Sequence, residues 1–275
     1  MTKRYVHGYD SREGVRLIDQ ATTLAEILHS DTVFPAGSNV LEAGCGVGAQ
    51  TVILARSNPK ARFTSIDISD ESLRAAKKRV SDEGFTNVSF SKGDIFSLPY
   101  PDEAFDHVFV CFLLEHVPNP INALTGLRRV LKPGGTITVI EGDHGSTYFY
   151  PESEAARRVI GCQVDLQARM GGNSLIGRQL FPLLKRANYS NILVSPRMVY
   201  VDSSKPELAE GFTKNTFIAM IEGIKDKAIG ANIIDESSFD IGISDLYKTA
   251  MEEGTFIYTF FKGRAFKPVI QRLLA

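Results

Sequence analysis

The stretch Val40-Leu41-Glu42-Ala43-Gly44-Cys45-Gly46-Val47-Gly48 decides how this 275-residue chain folds. An apolar run leads into three alternate glycines, which let a backbone turn sharply and let a ligand approach closer than any Cβ permits. The run reads as a strand around 39–41, then a loop, then a helix over 49–57 ended by Asn58-Pro59. The alternation continues downstream. A strand over 62–66 closes on Asp67, and a helix over 69–83 follows, with Ser69 or Asp70 placed to cap it. Further strands are predicted over 88–91, 105–111 and 136–141, with a helix over 120–131 and a turn at Lys132-Pro133-Gly134-Gly135. Strands and helices joined by turns this short imply parallel strands, right-handed crossovers and a doubly wound α/β sheet.

Around this frame the pattern is less regular. Apolar residues at helical spacing predict an amphipathic N-terminal helix over 12–29. After Glu141, residues 142–151 read as an aromatic-rich loop, 152–169 and 176–187 as helices, and 192–201 as a strand interrupted near Pro196. Two helices, over 207–229 and 244–253, form an insertion (202–254) before a last β-rich segment over 255–262.

Composition narrows the function. With 43% hydrophobic and 23% charged residues the chain is an ordinary globular protein, and a net charge of −1 disfavours a nucleic-acid partner. The N-terminus has no apolar run behind Lys3 and Arg4, and no stretch approaches a membrane span, so a cytoplasmic protein without membrane attachment is expected. Cys45, Cys111 and Cys162 lack paired spacing and read as free thiols, with no metal site expected.

The glycine loop alone leaves two cofactors open, because Gly44-x-Gly46-x-x-Ala49 also fits the dinucleotide pattern of a nicotinamide enzyme. Glu42 favours a cofactor carrying sulfonium and ammonium charge over one carrying a pyrophosphate. Asp67 can accept hydrogen bonds from both ribose hydroxyls under either reading. Asp94, after Gly93, can accept from an exocyclic amine, with Ile68 and Ile95 offering apolar faces to a ring. Carboxylates at successive strand ends lie along the edge where doubly wound sheets bind ligands.

Together with Ser65-Ile66-Asp67-Ile68-Ser69, Lys92-Gly93-Asp94-Ile95, Leu98-Pro99-Tyr100-Pro101, Phe105-Asp106-His107-Val108, Leu114-Glu115-His116-Val117-Pro118-Asn119-Pro120 and Leu131-Lys132-Pro133-Gly134-Gly135, the opening stretch resembles the class I S-adenosylmethionine-dependent methyltransferases. The resemblance covers residues 35–145 and is greatest to the branch with ubiquinone/menaquinone and small-molecule methyltransferases. It implies a Rossmann-like, mostly parallel seven-stranded sheet in a single domain, with S-adenosylmethionine as cofactor and 35–145 as its binding core. Gly44 and Gly46 would line the methionine and ribose, Asp67 the ribose and Asp94 the adenine. Gln50 would reach the methionine end, with Cys45 in the loop and the backbone at Cys111 and Phe112 alongside. Tyr9 and Gln20 either close over the cofactor or pack and face solvent. His107 departs from the family pattern, which has a hydrophobic or small residue there.

The acceptor is open. In-line methyl transfer needs a base only if the nucleophile must lose a proton. His144, with Asp143 as an orienting carboxylate, and His116 are the two candidates. Tyr148, Phe149 and Tyr150 form an acceptor wall or pack the next helix. Phe212, Phe217, Ile218, Met220 and Ile221, in the insertion expected to cover the acceptor site, face a pocket, the core or a homodimer contact. A small organic acceptor is expected. A protein side chain, or a non-catalytic cofactor-binding module, are the alternatives.

Overall fold

The computed structural model describes residues 11–269. Seven strands form one sheet in the order β3-β2-β1-β4-β5-β7-β6. They are β1 (Asn39–Ala43), β2 (Arg62–Asp67), β3 (Val88–Lys92), β4 (Phe105–Cys111), β5 (Leu131–Tyr150), β6 (Ser190–Val201) and β7 (Thr255–Phe266). The pairs β1–β2, β1–β4, β2–β3 and β4–β5 are all parallel. The order reverses at β1, where a doubly wound sheet opens its ligand crevice.

Helices precede and alternate with the first strands: α1 (Ser11–Thr23), α2 (Ala25–His29), α3 (Ala49–Ser57), α4 (Asp70–Asp82) and α5 (Pro120–Val130). Beyond β5 come α6 (Glu154–Arg169) and α7 (Leu180–Arg186), then α8 (Pro206–Leu208), α9 (Ala219–Glu222), α10 (Lys225–Gly230) and α11 (Glu236–Lys248). Ser69 caps α4, accepting from Ser72 N–H at 3.2 Å, and Asn119 and Ser153 cap α5 and α6 in the same way. The chain divides into two compact units. Among the described residues, one holds 31–141, 177–196 and 261–269, and the other holds 11–30, 142–176 and 197–260.

Several expectations change. The N-terminal helix is two helices, broken at Leu24, whose φ and ψ of −97° and 2° leave the helical range. The loop expected over 142–151 is the continuation of β5. Thr147 and Phe149 are buried while Tyr148 and Tyr150 are exposed, the period-2 alternation of a strand. Ser146 ties it to β7, its Oγ accepting from Thr259 N–H at 3.1 Å. The Lys132–Gly135 turn survives as an irregularity inside β5, where Phe105 pairs with Leu131 but His107 pairs with Thr136. Pro196 does not interrupt β6, because an edge strand can lose an N–H without breaking a ladder.

In the insertion, the expected helix over 207–229 is instead a succession of segments around a π-helix, Ala209–Ile218. Gly211 lies so near α1 that a Cβ there would come 2.3 Å from Thr23 Oγ1. The last helix begins at residue 236 and not 244, because Asp235 caps it, accepting from Ser238 N–H at 2.8 Å. Of the insertion's five apolar candidates, Phe212, Phe217, Ile218 and Ile221 are buried in the core of the chain. Met220 is half-buried.

Candidate functional site

The loop after β1 is built by carboxylate-to-backbone bonds. Asp67 Oδ2 accepts from Gly46 N–H at 2.9 Å and its Oδ1 from Ser69 N–H at 2.8 Å, so one side chain sets both the glycine loop and the start of α4. A carboxylate has about four lone-pair positions, which leaves room for two hydroxyl donors. Burial raises the Asp67 pKa, against the pull of these N–H groups. Gly44 and Cys45 both donate to Ile66 O, at 2.8 and 3.0 Å, closing the turn.

The three glycines have distinct jobs. All take positive φ, of 78°, 52° and 78° at Gly44, Gly46 and Gly48. A Cβ on Gly48 would lie 2.9 Å from Ala76 Cα, so this glycine permits α3 and α4 to approach. A Cβ on Gly44 would lie 2.9 Å from the Leu113 methyls. A Cβ on Gly46 would meet nothing within 4 Å, so the loop opens there into space that a ligand can take. No side chain caps the following helix α3, in whose first turn Gln50 lies half-buried.

The carboxyl of Glu42 is buried. Its Oε2 accepts from Ser65 Oγ at 2.6 Å and Thr51 Oγ1 at 2.8 Å, which links β1, β2 and α3. Desolvation raises its pKa to about 7, with the two hydroxyls pulling the other way. Across β3, Asp94 is exposed and its Oδ1 accepts from Phe96 N–H at 2.9 Å. Ile68 (56% exposed) and Phe96 (39%) present large apolar surface on this side, while Ile95 is buried. Phe96, two residues after Asp94, adds an apolar face to those expected from Ile68 and Ile95. Gly93 donates to Asp67 O at 3.0 Å, which joins the β2 and β3 ends.

After β4, Phe112 stands at φ 54°, a left-handed conformation that costs a non-glycine residue energy and clusters at functional sites. Burial pushes the thiols of Cys45 and Cys111 upward, so neither supplies a thiolate. His116 Nε2 lies 3.3 Å from Glu115 Oε1. His107 sits mid-strand, its Nδ1 2.7 Å from Thr136 Oγ1 and its ring 5.3 Å from that of Phe34. These features fit a nucleoside ligand: open space over Gly46, spare acceptor capacity on Asp67, and exposed apolar faces flanking the Asp94 loop.

The other unit contains a second polar centre. His144, 6% exposed, shares a 2.8 Å hydrogen bond between its Nδ1 and the hydroxyl of Tyr258, itself 2% exposed. The phenol fits because Gly142 has no side chain; a Cβ there would lie 2.4 Å from it. Phe217 flanks both rings, at 6.0 Å from His144 and 5.6 Å from Tyr258. Asp143, expected to orient His144, accepts with Oδ1 from Gly145 N–H at 3.1 Å. Tyr258, 114 residues away in the chain, is a partner of His144 that the sequence did not reveal. Phe149 packs on the following helix under the Arg157 guanidinium, 5.1 Å from its ring centre. Gln20 is half-buried on α1, and Tyr9 lies outside the described residues.

A family model described as a methyltransferase domain matches residues 35–174. The chain belongs to the class I S-adenosylmethionine-dependent methyltransferase family. A protein of a Streptomyces fradiae transposon, described as an uncharacterized 37.1 kDa protein, is 34% identical over 218 residues, covering 76% of this chain and 62% of its own length. Demethylmenaquinone methyltransferase of Listeria monocytogenes is 34% identical over 106 residues, 38% of this chain and 45% of that enzyme. The chain thus spans less than two thirds of the length of these curated relatives. Among solved structures, the 4+2-cyclase SpnF is similar with a TM-score of 0.54 and 26% identity, over 91% of this chain and 82% of that one. Phosphoethanolamine N-methyltransferase 2 of Haemonchus contortus, solved with phosphomonomethylethanolamine and S-adenosylhomocysteine, shares the fold at TM-score 0.59 and 17% identity, over 94% of this chain and 59% of that one.

Among the described residues, no helix is long and apolar enough to cross a membrane.

Proposed function

We propose that this chain binds S-adenosylmethionine at the β1–β4 strand ends and methylates a small organic acceptor. The single observation that carries this reading is the glycine loop held by Asp67, with its ligand-facing opening at Gly46. Asp67 would hold the ribose, Asp94 the adenine amine between Ile68 and Ile95, and Gly44, Cys45, Gln50, Cys111 and Phe112 the remainder. Bound there, the cofactor supplies a methyl group activated on a sulfonium for in-line displacement. The chain's own contribution is to hold the acceptor in line and to exclude water.

Where the acceptor must lose a proton, His144 is the group to take it, oriented by Tyr258. The 2.8 Å bond between His144 Nδ1 and the Tyr258 hydroxyl would orient the ring and fix its tautomer. His116, beside a carboxylate, is the second candidate. The helical insertion over 202–254 would carry the acceptor determinants. A small acceptor is supported by the likeness to the demethylmenaquinone enzyme.

A second reading is favoured by the similarity to a 4+2-cyclase over nine tenths of the chain: the same scaffold would cyclise a small molecule without consuming the cofactor. Incubation with methyl-labelled S-adenosylmethionine and a low-molecular-weight metabolite extract separates the two. Label in a small product with matching S-adenosylhomocysteine release supports methyl transfer. Substrate conversion without release supports cyclisation.

A further inference from the structure

Glu141, at the point where β5 leaves the cofactor-side unit, is fully buried. Its Oε1 accepts two backbone N–H groups, from Leu113 at 3.1 Å and Leu114 at 2.7 Å. Its Oε2 is equally buried and has no hydrogen-bond partner among the described residues. A carboxylate in such a place is costly to keep charged. Burial first, and then the charge of Glu115, push its pKa well above the usual range, against the pull of the N–H groups of Leu114, Leu113 and Glu115. Oε1 thus takes both N–H groups of the turn, and Oε2 adds no bond to it.

The segment so held is the turn out of β4. It contains the left-handed Phe112, whose N–H donates to Ile140 O at 2.9 Å, and it leads into the 3-10 turn Leu114–His116. It also places the Leu113 methyls against Gly44, where they occupy the position a Cβ would need. In the sheet order, Asp94 and Asp67 stand after β3 and β2, the adenosine side of the proposed cofactor. The ends of β1 and β4 are left for its amino-acid end.

We infer that Glu141 is a positioning residue for the amino-acid end of S-adenosylmethionine, acting only through the 112–114 turn that it pins against Gly44. This rests on the cofactor reading above. The test is calorimetric titration of wild type, Glu141→Gln and Glu141→Leu with S-adenosylhomocysteine and with 5′-methylthioadenosine, which keeps the adenosine and lacks the amino-acid group. Glutamine retains an acceptor oxygen for both N–H groups, so both ligands should bind within about 3-fold of wild type. In Glu141→Leu the S-adenosylhomocysteine Kd should rise about 30-fold or more, with 5′-methylthioadenosine changed less than about 3-fold. Equal weakening of both ligands, or no weakening of either, overturns the inference. Should Glu141→Leu not fold, Glu141→Asp, whose carboxyl falls a methylene short, must show the same selectivity at about 5-fold or more. A wild type that binds neither ligand overturns the cofactor reading and this inference with it. A non-selective loss in the variants overturns only the inference.

Discussion

The two units of this protein assemble their polar centres in opposite ways. In the cofactor-side unit the groups are neighbours in sequence or sit at successive strand ends, and most of the bonds involve backbone: Asp67 to Gly46 and Ser69, Asp94 to Phe96, Glu141 to Leu113 and Leu114. In the other unit the centre is a side-chain pair, His144 and Tyr258, drawn from strands far apart in the chain and surrounded by aromatic rings. The first arrangement suits a fixed ligand common to a family, because backbone geometry changes little with side-chain substitution. The second can be altered one side chain at a time, as expected of a region that chooses a substrate.

The sharpest break in this comparison comes from the glycines. Gly48→Val would force a side chain against the Ala76 backbone at positive φ, and should cost about 3 kcal/mol or more of stability. Gly46→Ala meets open space, so it should cost only about 1–2 kcal/mol of stability. It should nonetheless abolish binding of S-adenosylhomocysteine. Thermal unfolding with and without ligand checks both, and a Gly46→Ala variant that binds normally would mean the opening is not the cofactor's.

Glu42 gives a pH test of the cofactor-side unit. Its folded pKa, near 7, lies above the ordinary 4.5, so folding favours the protonated form. The stability it contributes is whole below about pH 4.5 and is lost as pH rises through 7, roughly 3 kcal/mol in all. Glu42→Gln should therefore match wild type near pH 4.5 and exceed it near pH 8. Denaturant unfolding at the two pH values measures the difference, and parallel curves would show that Glu42 is charged without penalty.

In the other unit, His144→Ala should lower turnover about 10²-fold on an acceptor that must lose a proton, while leaving cofactor affinity unchanged. Tyr258→Phe should have a smaller effect, about 10-fold, by freeing the imidazole tautomer. Turnover that is insensitive to both would remove the pair from the chemistry.

The same contrast explains what was legible beforehand. Strand-and-loop periodicity, the glycines and the closing aspartates reveal β1 to β4 because each depends on residues within a few positions of one another. The continuation of β5 was hidden because Gly142, Gly145 and Pro151 are turn residues by composition, and only pairing with a strand more than a hundred residues later makes 142–150 extended. The π-helix was hidden because its close approach to α1 at Gly211 is a tertiary contact. The start of α11 is legible in the sequence, since Asp235-x-x-Ser238 is a capping pattern. Glu42, expected just beyond a strand over 39–41, lies inside β1, and its burial with Ser65 and Thr51 depends on the neighbouring strand and helix.

Cofactor binding is tested most directly by one titration: S-adenosylhomocysteine, with NAD as the control, against thermal unfolding of the wild-type chain. At a concentration 100 times its Kd, S-adenosylhomocysteine should stabilise the fold by about 2.7 kcal/mol, and NAD should not. No shift with S-adenosylhomocysteine, or an equal shift with NAD, would contradict it.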